Sequence, residues 1–325
     1  MNSVKTVLLV NHYKSQCGVY QYGVDIYSSL KKSTKYDFQY AECKDVTELD
    51  LIKVNYSPEV IIYNYHPVTM PWIHTTVRVK GLKQICIMHE VDPDVSESFS
   101  NILFDEYIVA NPVFSSNKDF VHSSERLILN KEVYKKNKKI PIITSYGFGF
   151  KHKGFEDIVN LVKREFSKAI VRFNMPYNQH IEVDGKPNIP NGNKKETKII
   201  IDSCRKISHG SGIDLRITHD YMSKDELFDF LSDSTVNIFL YKRGCWGISS
   251  VIDSALAVRR PIAISRNKMF QHIYDATPSI CVENNSLKTI ISNGITPLLP
   301  YYEKWSEENF IKRYENIIEK ACNGM

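Results

Sequence analysis

No run of eighteen or more apolar residues occurs in the sequence, which argues against a transmembrane helix. No C-x-x-C spacing occurs either. The seven cysteines are odd in number and scattered. That argues against a disulfide frame or a zinc site and for a reducing, cytoplasmic setting. The glycine-rich turn "GFGFKHKG" lacks the G-x-G-x-x-G spacing of a dinucleotide site, and no P-loop lysine-serine pair follows it. A strong charge imbalance is also missing. The net charge of +5 permits an anionic small ligand or an acidic membrane surface, but does not indicate nucleic acid. The start, "MNSVKTVLLVNHYKS", has an apolar run too short for a signal peptide and reads as a first strand.

What is present is an ordinary globular composition, 42% hydrophobic and 24% charged, over 325 residues, a length comfortable for two domains. Short β-branched runs alternate with helical patterns: "TVLLVN", "DFQYAEC", "EVIIYNYH", "QICIMHE", "EYIVANP", then "PIITSYGFGF", "AIVRFNM", "LRITHDY", "VNIFLYK", "PIAISR" and "SICVEN". Between them lie apolar stripes at helical spacing. Phe155, Ile158, Val159, Val162 and Phe166 form one; Phe310, Ile311, Tyr314, Ile317 and Ile318 form another. The alternation predicts α/β architecture with parallel sheets, and the number of strands favours two doubly wound domains over one small sheet. The seam is expected in the lysine- and asparagine-rich "NKEVYKKNKKIPIITS". It gives a first domain over 1–139 and a second over 140–305. The polar insert "YNQHIEVDGKPNIPNGNKKET" reads as an exposed loop.

The stretch "YKRGCWGISSVIDSALAVRRPIAIS", residues 241–265, reads as a turn, a buried helix and a short strand. Ile248, Val251, Ile252, Ala255 and Leu256 fall on one helical face. The turn opens the helix with one glycine, two hydroxyls and no acidic side chain. A helix start offers free N–H groups and partial positive charge. Gly247 would let a ligand approach the backbone, and Ser249 and Ser250 add hydroxyl donors, an arrangement suited to a phosphate. The competing reading is that a serine caps the helix. A second strand, turn and helix start, "SYGFGFKHKGFEDIV", places Lys153 and Gly154 at its turn. Alone, Lys153 reads as a solvated lysine. Two such turns at strand C-terminal ends of one sheet together favour an anion site.

"GFGFKHKGFEDIV", followed later by "WGISSVIDSALAVRRPIAIS", resembles the C-terminal half of GT-B glycosyltransferases of the glycogen-synthase-like, nucleotide-sugar-dependent group. Lys153 and Gly154 match that group's lysine-glycine, and Arg260 and Pro261 match its arginine-proline. "TVLLVNHYKSQCGVYQYGVDIYSSL" looks like the family's first strand, glycine loop and helix, with Gly18 in the loop. "KQICIMHEVDPD" looks like the strand ending in a histidine that faces the acceptor, here His89. "WSEENFIKRYENIIEK" looks like the last helix, 306–325, which in this architecture packs back on the first domain. The chain departs from the pattern at three places. The family's arginine after the first strand of the second domain falls on Phe148. Of its two glutamates, the later falls on Ser254 or Asp253 and the earlier on Trp246 or Cys245.

The resemblance implies two Rossmann-like domains facing a cleft, the first for acceptor and the second for donor. It implies a retaining glycosyltransferase acting on a UDP- or GDP-sugar without further cofactor. Lys153, Gly247, Ser249, Ser250, Gly18 and Arg243 would meet the donor phosphates; Asp220, Tyr221 and Asp253 would meet the nucleotide or sugar. Helix-start amides, hydroxyls and a lysine can stabilise a departing diphosphate without a metal. The one D-x-D, Asp92 and Asp94 around Pro93, reads as a loop turn. His89 would act on the acceptor hydroxyl or position it, and His66 ends the preceding strand. The acceptor is a glycan, a lipid-linked species or a protein, with weak membrane-surface contact through basic runs such as "KKSTK" in the lipid case. The alternatives are a GT-B sugar-nucleotide epimerase and a catalytically silent nucleotide-sugar-binding or scaffold protein.

Overall fold

A computed structural model describes residues 4–13, 16–74, 78–131, 139–177, 193–242, 244–245 and 247–323. The chain divides into two units. The first comprises residues 1–127, 246–248 and 304–325; the second comprises 128–245 and 249–303. The division after Leu127 lies upstream of the lysine-rich stretch where the sequence places the seam. Residues 132–138 of that stretch, and 178–192 of the polar insert, lie outside the described residues.

The first unit carries β1 (Lys5–Asn11), β2 (Tyr36–Glu42), β3 (Val60–Tyr65), β4 (Lys83–Met88), β5 (Glu106–Val109) and β6 (Val121–Ser123). They form one parallel sheet in the order β2-β1-β3-β4-β5-β6. Parallel sheets are covered on both faces, so their strands are apolar throughout rather than alternating. Val7 to Val10 and Val60 to Tyr63 are accordingly fully buried. The helix Val46–Tyr56 sends Leu49 into a layer with Leu8, Val10, Ile61, Tyr63 and Cys86.

The helix Glu307–Asn323 buries Phe310, Tyr314, Ile317 and Ile318 in this unit. It runs beside the helix Gly18–Leu30. Ser29 Oγ donates to Glu307 Oε1 at 2.7 Å, and Lys32 Nζ pairs with Glu307 at 2.7 Å. Ser33 and Lys35 bond Glu315 and Glu319 in the same way.

The second unit carries β7 (Ile142–Tyr146), β8 (Ala169–Asn174), β9 (Ile213–Thr218), β10 (Val236–Phe239) and β11 (Ile262–Ile264), parallel in the order β11-β10-β7-β8-β9. The helix Phe155–Glu165 packs Phe155, Ile158, Val159, Leu161 and Val162 against Val171, Phe173 and Ile238. In each sheet the connections wind outward in both directions from one pair of neighbours. That pair is β1 and β3 in the first unit and β7 and β10 in the second. Ligands bind at such switch points because the diverging connections leave a crevice beyond the strand ends.

The last expected strand is not one. "SICVEN" contains the end of a 3-10 turn, Pro278–Ile280, and pairs with the sheet by an isolated bridge, Ile264–Cys281, rather than as a strand. Asn284 and Asn285 fold their side-chain amides back onto the carbonyls of Pro278 and Ser279, curling the segment off the sheet edge. β6, three residues long, is an additional strand the sequence reading passes over.

Candidate functional site

At the switch point of the second unit, the segment after β7 ends in a 3-10 turn, Lys151–Lys153, closed by Gly154 at φ 71°. A Cβ on Gly154 would lie 1.8 Å from the carbonyl oxygen of Leu240. Glycine is therefore required twice, for the left-handed backbone and for contact with the end of β10. Lys242 N–H donates to His152 O at 2.8 Å and locks the two turns together.

Between the turns sits Tyr241, buried, its ring 4.8 Å from Phe270. Its carbonyl accepts from Ser265 Oγ at 2.8 Å and Asn267 Nδ2 at 3.1 Å. Lys153 Nζ lies 3.9 Å from the ring centroid, close enough for a cation–π interaction. Ser249 Oγ donates to Tyr241 Oη at 3.4 Å, and Ser249 N–H donates to Met269 O. Tyr241 thus brings together two residues that the sequence places about a hundred positions apart. It was not among the sequence candidates; its signal is an aromatic ending a buried strand at the switch point.

The helix Val251–Ala257 follows as expected, with Val251, Ile252, Ala255 and Leu256 buried. Ser250 occupies its N-cap position with helical dihedrals, φ −67° and ψ −6°, and makes no side-chain cap bond. The residue is exposed and its hydroxyl is not used for capping. Asp253 lies half-buried in the first helical turn. Arg243 lies outside the described residues. Asp220 and Tyr221 are exposed beyond β9, an edge strand separated from β7 by β8. Asn174 Nδ2 pins the Asp220 carbonyl at 3.0 Å. No described contact joins these two residues to Lys153 or Ser249.

Gly247 groups with the first unit, where it forms an antiparallel bridge to Glu90. A Cβ there would lie 2.8 Å from Glu90 Cγ, so a carboxylate side chain occupies the space beside this glycine. Gly18 starts the helix Gly18–Leu30, which has no side-chain N-cap bond and no acidic residue in its first turn. A Cβ on Gly18 would meet nothing within 4 Å.

The first unit's switch point gathers Asn11, His12, Asn64, His66 and His89 from the ends of β1, β3 and β4. Asn11 and Asn64 are fully buried and bonded, Asn64 Nδ2 to Asn11 Oδ1, at 2.9 Å. Asn64 Oδ1 meets His89 Nε2 at 2.7 Å. The Tyr22 ring stands edge-on to His89 at 5.0 Å, and the Arg126 guanidinium lies 5.3 Å over Tyr22. Burial, then the nearby Arg126, His66 and His12, push the His89 imidazole down to about 3, so it is neutral at ordinary pH. Burial also lowers His66, against the pull of Glu90.

Asp92 accepts from Asp94 N–H at 3.0 Å and caps the helix Pro93–Glu97, the turn the sequence suggests. Among the described residues, no cluster of three or more His, Cys, Asp or Glu is placed to hold a metal ion. No described helix is long and apolar enough to cross a membrane.

No protein-family model matches the chain, and no curated protein matches it in sequence. Solved structures do match in fold. The UDP-forming α,α-trehalose-phosphate synthase from Burkholderia xenovorans, in complex with glucose-6-phosphate, superposes with a TM-score of 0.66 at 10% identity, over 98% of this chain and 100% of that one. A glycosyltransferase from Rickettsia africae ESF-5 gives 0.63 at 10% identity, over 99% and 100%. HepE from Anabaena, in complex with UDP, gives 0.60 at 9% identity, over 97% and 100%. The likeness is one of fold. It is the fold of the GT-B glycosyltransferases, with a doubly wound parallel sheet in each unit.

Proposed function

We propose that the chain is a glycosyltransferase that moves a sugar from a nucleoside diphosphate sugar to an acceptor hydroxyl, with no metal ion required. The observation that carries the proposal is the Lys153–Tyr241–Ser249 arrangement at the switch point of the second unit. An ammonium and a hydroxyl stand on one aromatic support, next to a helix start whose N-cap hydroxyl is unused. Two of the solved structures similar in fold are described as UDP-forming or as bound to UDP, which supports a diphosphate as the anion.

In the proposed reaction the bond from the anomeric carbon to the diphosphate breaks, the acceptor oxygen bonds that carbon and gives its proton to the departing diphosphate, and negative charge grows on the leaving oxygens as the first bond lengthens. Lys153, the Ser250 hydroxyl, the helix-start amides and the Ser249 hydroxyl, once it turns from Tyr241 to the diphosphate, stabilise that charge more in the transition state than in the ground state. Retention of configuration belongs to the proposal on the family resemblance alone. His89, neutral and depressed, is a poor base, and its proposed part is to position the acceptor hydroxyl by hydrogen bonding.

Incubation with a panel of UDP- and GDP-sugars and candidate acceptors tests this. Transfer of the sugar supports the reading. An isomerised donor would indicate an epimerase, and binding without turnover a silent binding protein.

A further inference from the structure

The hydrogen bonds around His89 have a direction that can be read from backbone groups, which cannot flip. Asn11 Oδ1 accepts from the backbone N–H of His12 at 3.0 Å, while Asn11 Nδ2 donates to the carbonyl of Tyr20 at 3.0 Å and to Tyr40 Oη at 3.1 Å. Its amide orientation is therefore fixed. Asn64 Nδ2 donates to the carbonyl of Val19 at 2.7 Å and to Asn11 Oδ1 at 2.9 Å. Both Asn64 N–H donors are engaged, and turning this amide over would face oxygen with oxygen at two contacts. Asn64 Oδ1 must then be the atom toward His89, at 2.7 Å, and an acceptor there requires a proton on His89 Nε2. The other ring nitrogen, Nδ1, makes no hydrogen bond to a described residue.

Gly23 makes the arrangement possible. A Cβ at that position would lie 2.5 Å from Asn11 Nδ2 and 2.6 Å from Asn64 Nδ2. Only a glycine lets the helix Gly18–Leu30 come close enough to offer its first-turn carbonyls to both amides.

We infer that Asn11 and Asn64 are positioning residues that hold His89 as the neutral Nε2–H tautomer, leaving Nδ1 as an obligate hydrogen-bond acceptor for a hydroxyl. A lone pair of this kind selects a donor such as a sugar hydroxyl over an anionic oxygen. That the hydroxyl belongs to the sugar acceptor rests on the transferase reading. The tautomer does not, so the two can fail separately.

The groups facing His89 are Arg126, the Tyr22 ring, His12 after β1 and His66 after β3. Arg126 and the histidines, when charged, oppose a proton on Nδ1.

The test is long-range nitrogen–proton NMR on the full chain with labelled histidine. His89 should show a protonated Nε2 and an unprotonated Nδ1 at pH 7, unchanged to about pH 5. A doubly protonated ring or a proton on Nδ1 would overturn the inference, and this measurement needs no variant. Asn64→Asp replaces the acceptor amide with a carboxyl. Charged, it should draw the His89 titration upward by about 1–3 pH units; protonated, its hydroxyl takes the place of Nδ2 toward the Val19 carbonyl and Asn11 Oδ1, and the ring keeps its Nε2 proton. The upward titration, with the carboxylate seen in the same spectra, supports the assignment. A folded Asn64→Asp protein whose new carboxyl is charged and whose His89 keeps the wild-type titration would refute it.

Discussion

Lys153 Nζ stands 3.9 Å over the Tyr241 ring, and the hydroxyl of the same tyrosine accepts from Ser249. One side chain from the end of β10 therefore orients a cation carried by the turn after β7 and a hydroxyl carried by the turn before the helix Val251–Ala257. Tyr241→Phe keeps the ring and removes the hydroxyl; Tyr241→Leu removes both. Nucleoside diphosphate affinity should fall little in the first and by about 1 kcal/mol or more in the second, where Lys153 loses its cation–π support. Equal losses in the two variants, measured by calorimetry, would show that the ring does not position the lysine.

Gly154 and Gly18 should respond oppositely to alanine. Gly154→Ala forces a Cβ into the Leu240 carbonyl in a left-handed conformation, and should cost on the order of 3 kcal/mol or prevent folding. Gly18→Ala places its methyl in open space at a helix start and should leave the melting temperature nearly unchanged. Thermal melts decide; a tolerant Gly154 would mean the two turns do not pack as described.

Much of this fold is legible in the sequence because buried parallel strands are written as unbroken apolar runs, such as Val7 to Val10 and Ile61 to Tyr63. Where the reading failed, local pattern was not decisive. The run at Cys281 and Val282 is apolar enough for a strand, yet Asn284 and Asn285 curl it away. Turn chemistry and the family resemblance point to Lys153, Ser249 and Ser250. They pass over Tyr241, Asn11 and Asn64, because within a run each looks like one more strand residue. The contacts of these three exist only once strand order puts β7 beside β10 and β1 beside β3. The space beside Gly247 was equally unreadable, since Glu90 reaches it from far along the chain.

Acid stability should depend on Asp105. Burial opposes its charge, but two hydrogen bonds from Arg78 at 2.8 Å and one from the Gln84 N–H at 2.7 Å outweigh that and hold the carboxyl below its ordinary value. A group depressed in the folded state contributes stability above its unfolded value, near 4, and loses it as pH falls through the folded one. Asp105→Asn should therefore cost about 1.5–3 kcal/mol at pH 7. The gap to the wild type should narrow below about pH 4. Denaturant titrations at pH 7 and pH 3 showing the same gap would contradict this assignment.

Transfer activity should survive EDTA, because the proposed charge stabilisation uses Lys153, hydroxyls and amides. Activity abolished by EDTA and restored by manganese would replace that account with a metal-dependent one.

The central claim, that Lys153 and the turn before the helix Val251–Ala257 hold a diphosphate, is tested most directly by calorimetric titration of UDP and GDP into the wild type and Lys153→Ala, with a thermal melt of each. The account predicts binding of one nucleotide to the wild type. It predicts affinity weakened at least about tenfold, roughly 1.4 kcal/mol, in Lys153→Ala, with the melting temperature little changed. Neither nucleotide binding the wild type, or the variant binding as tightly as the wild type, would contradict it.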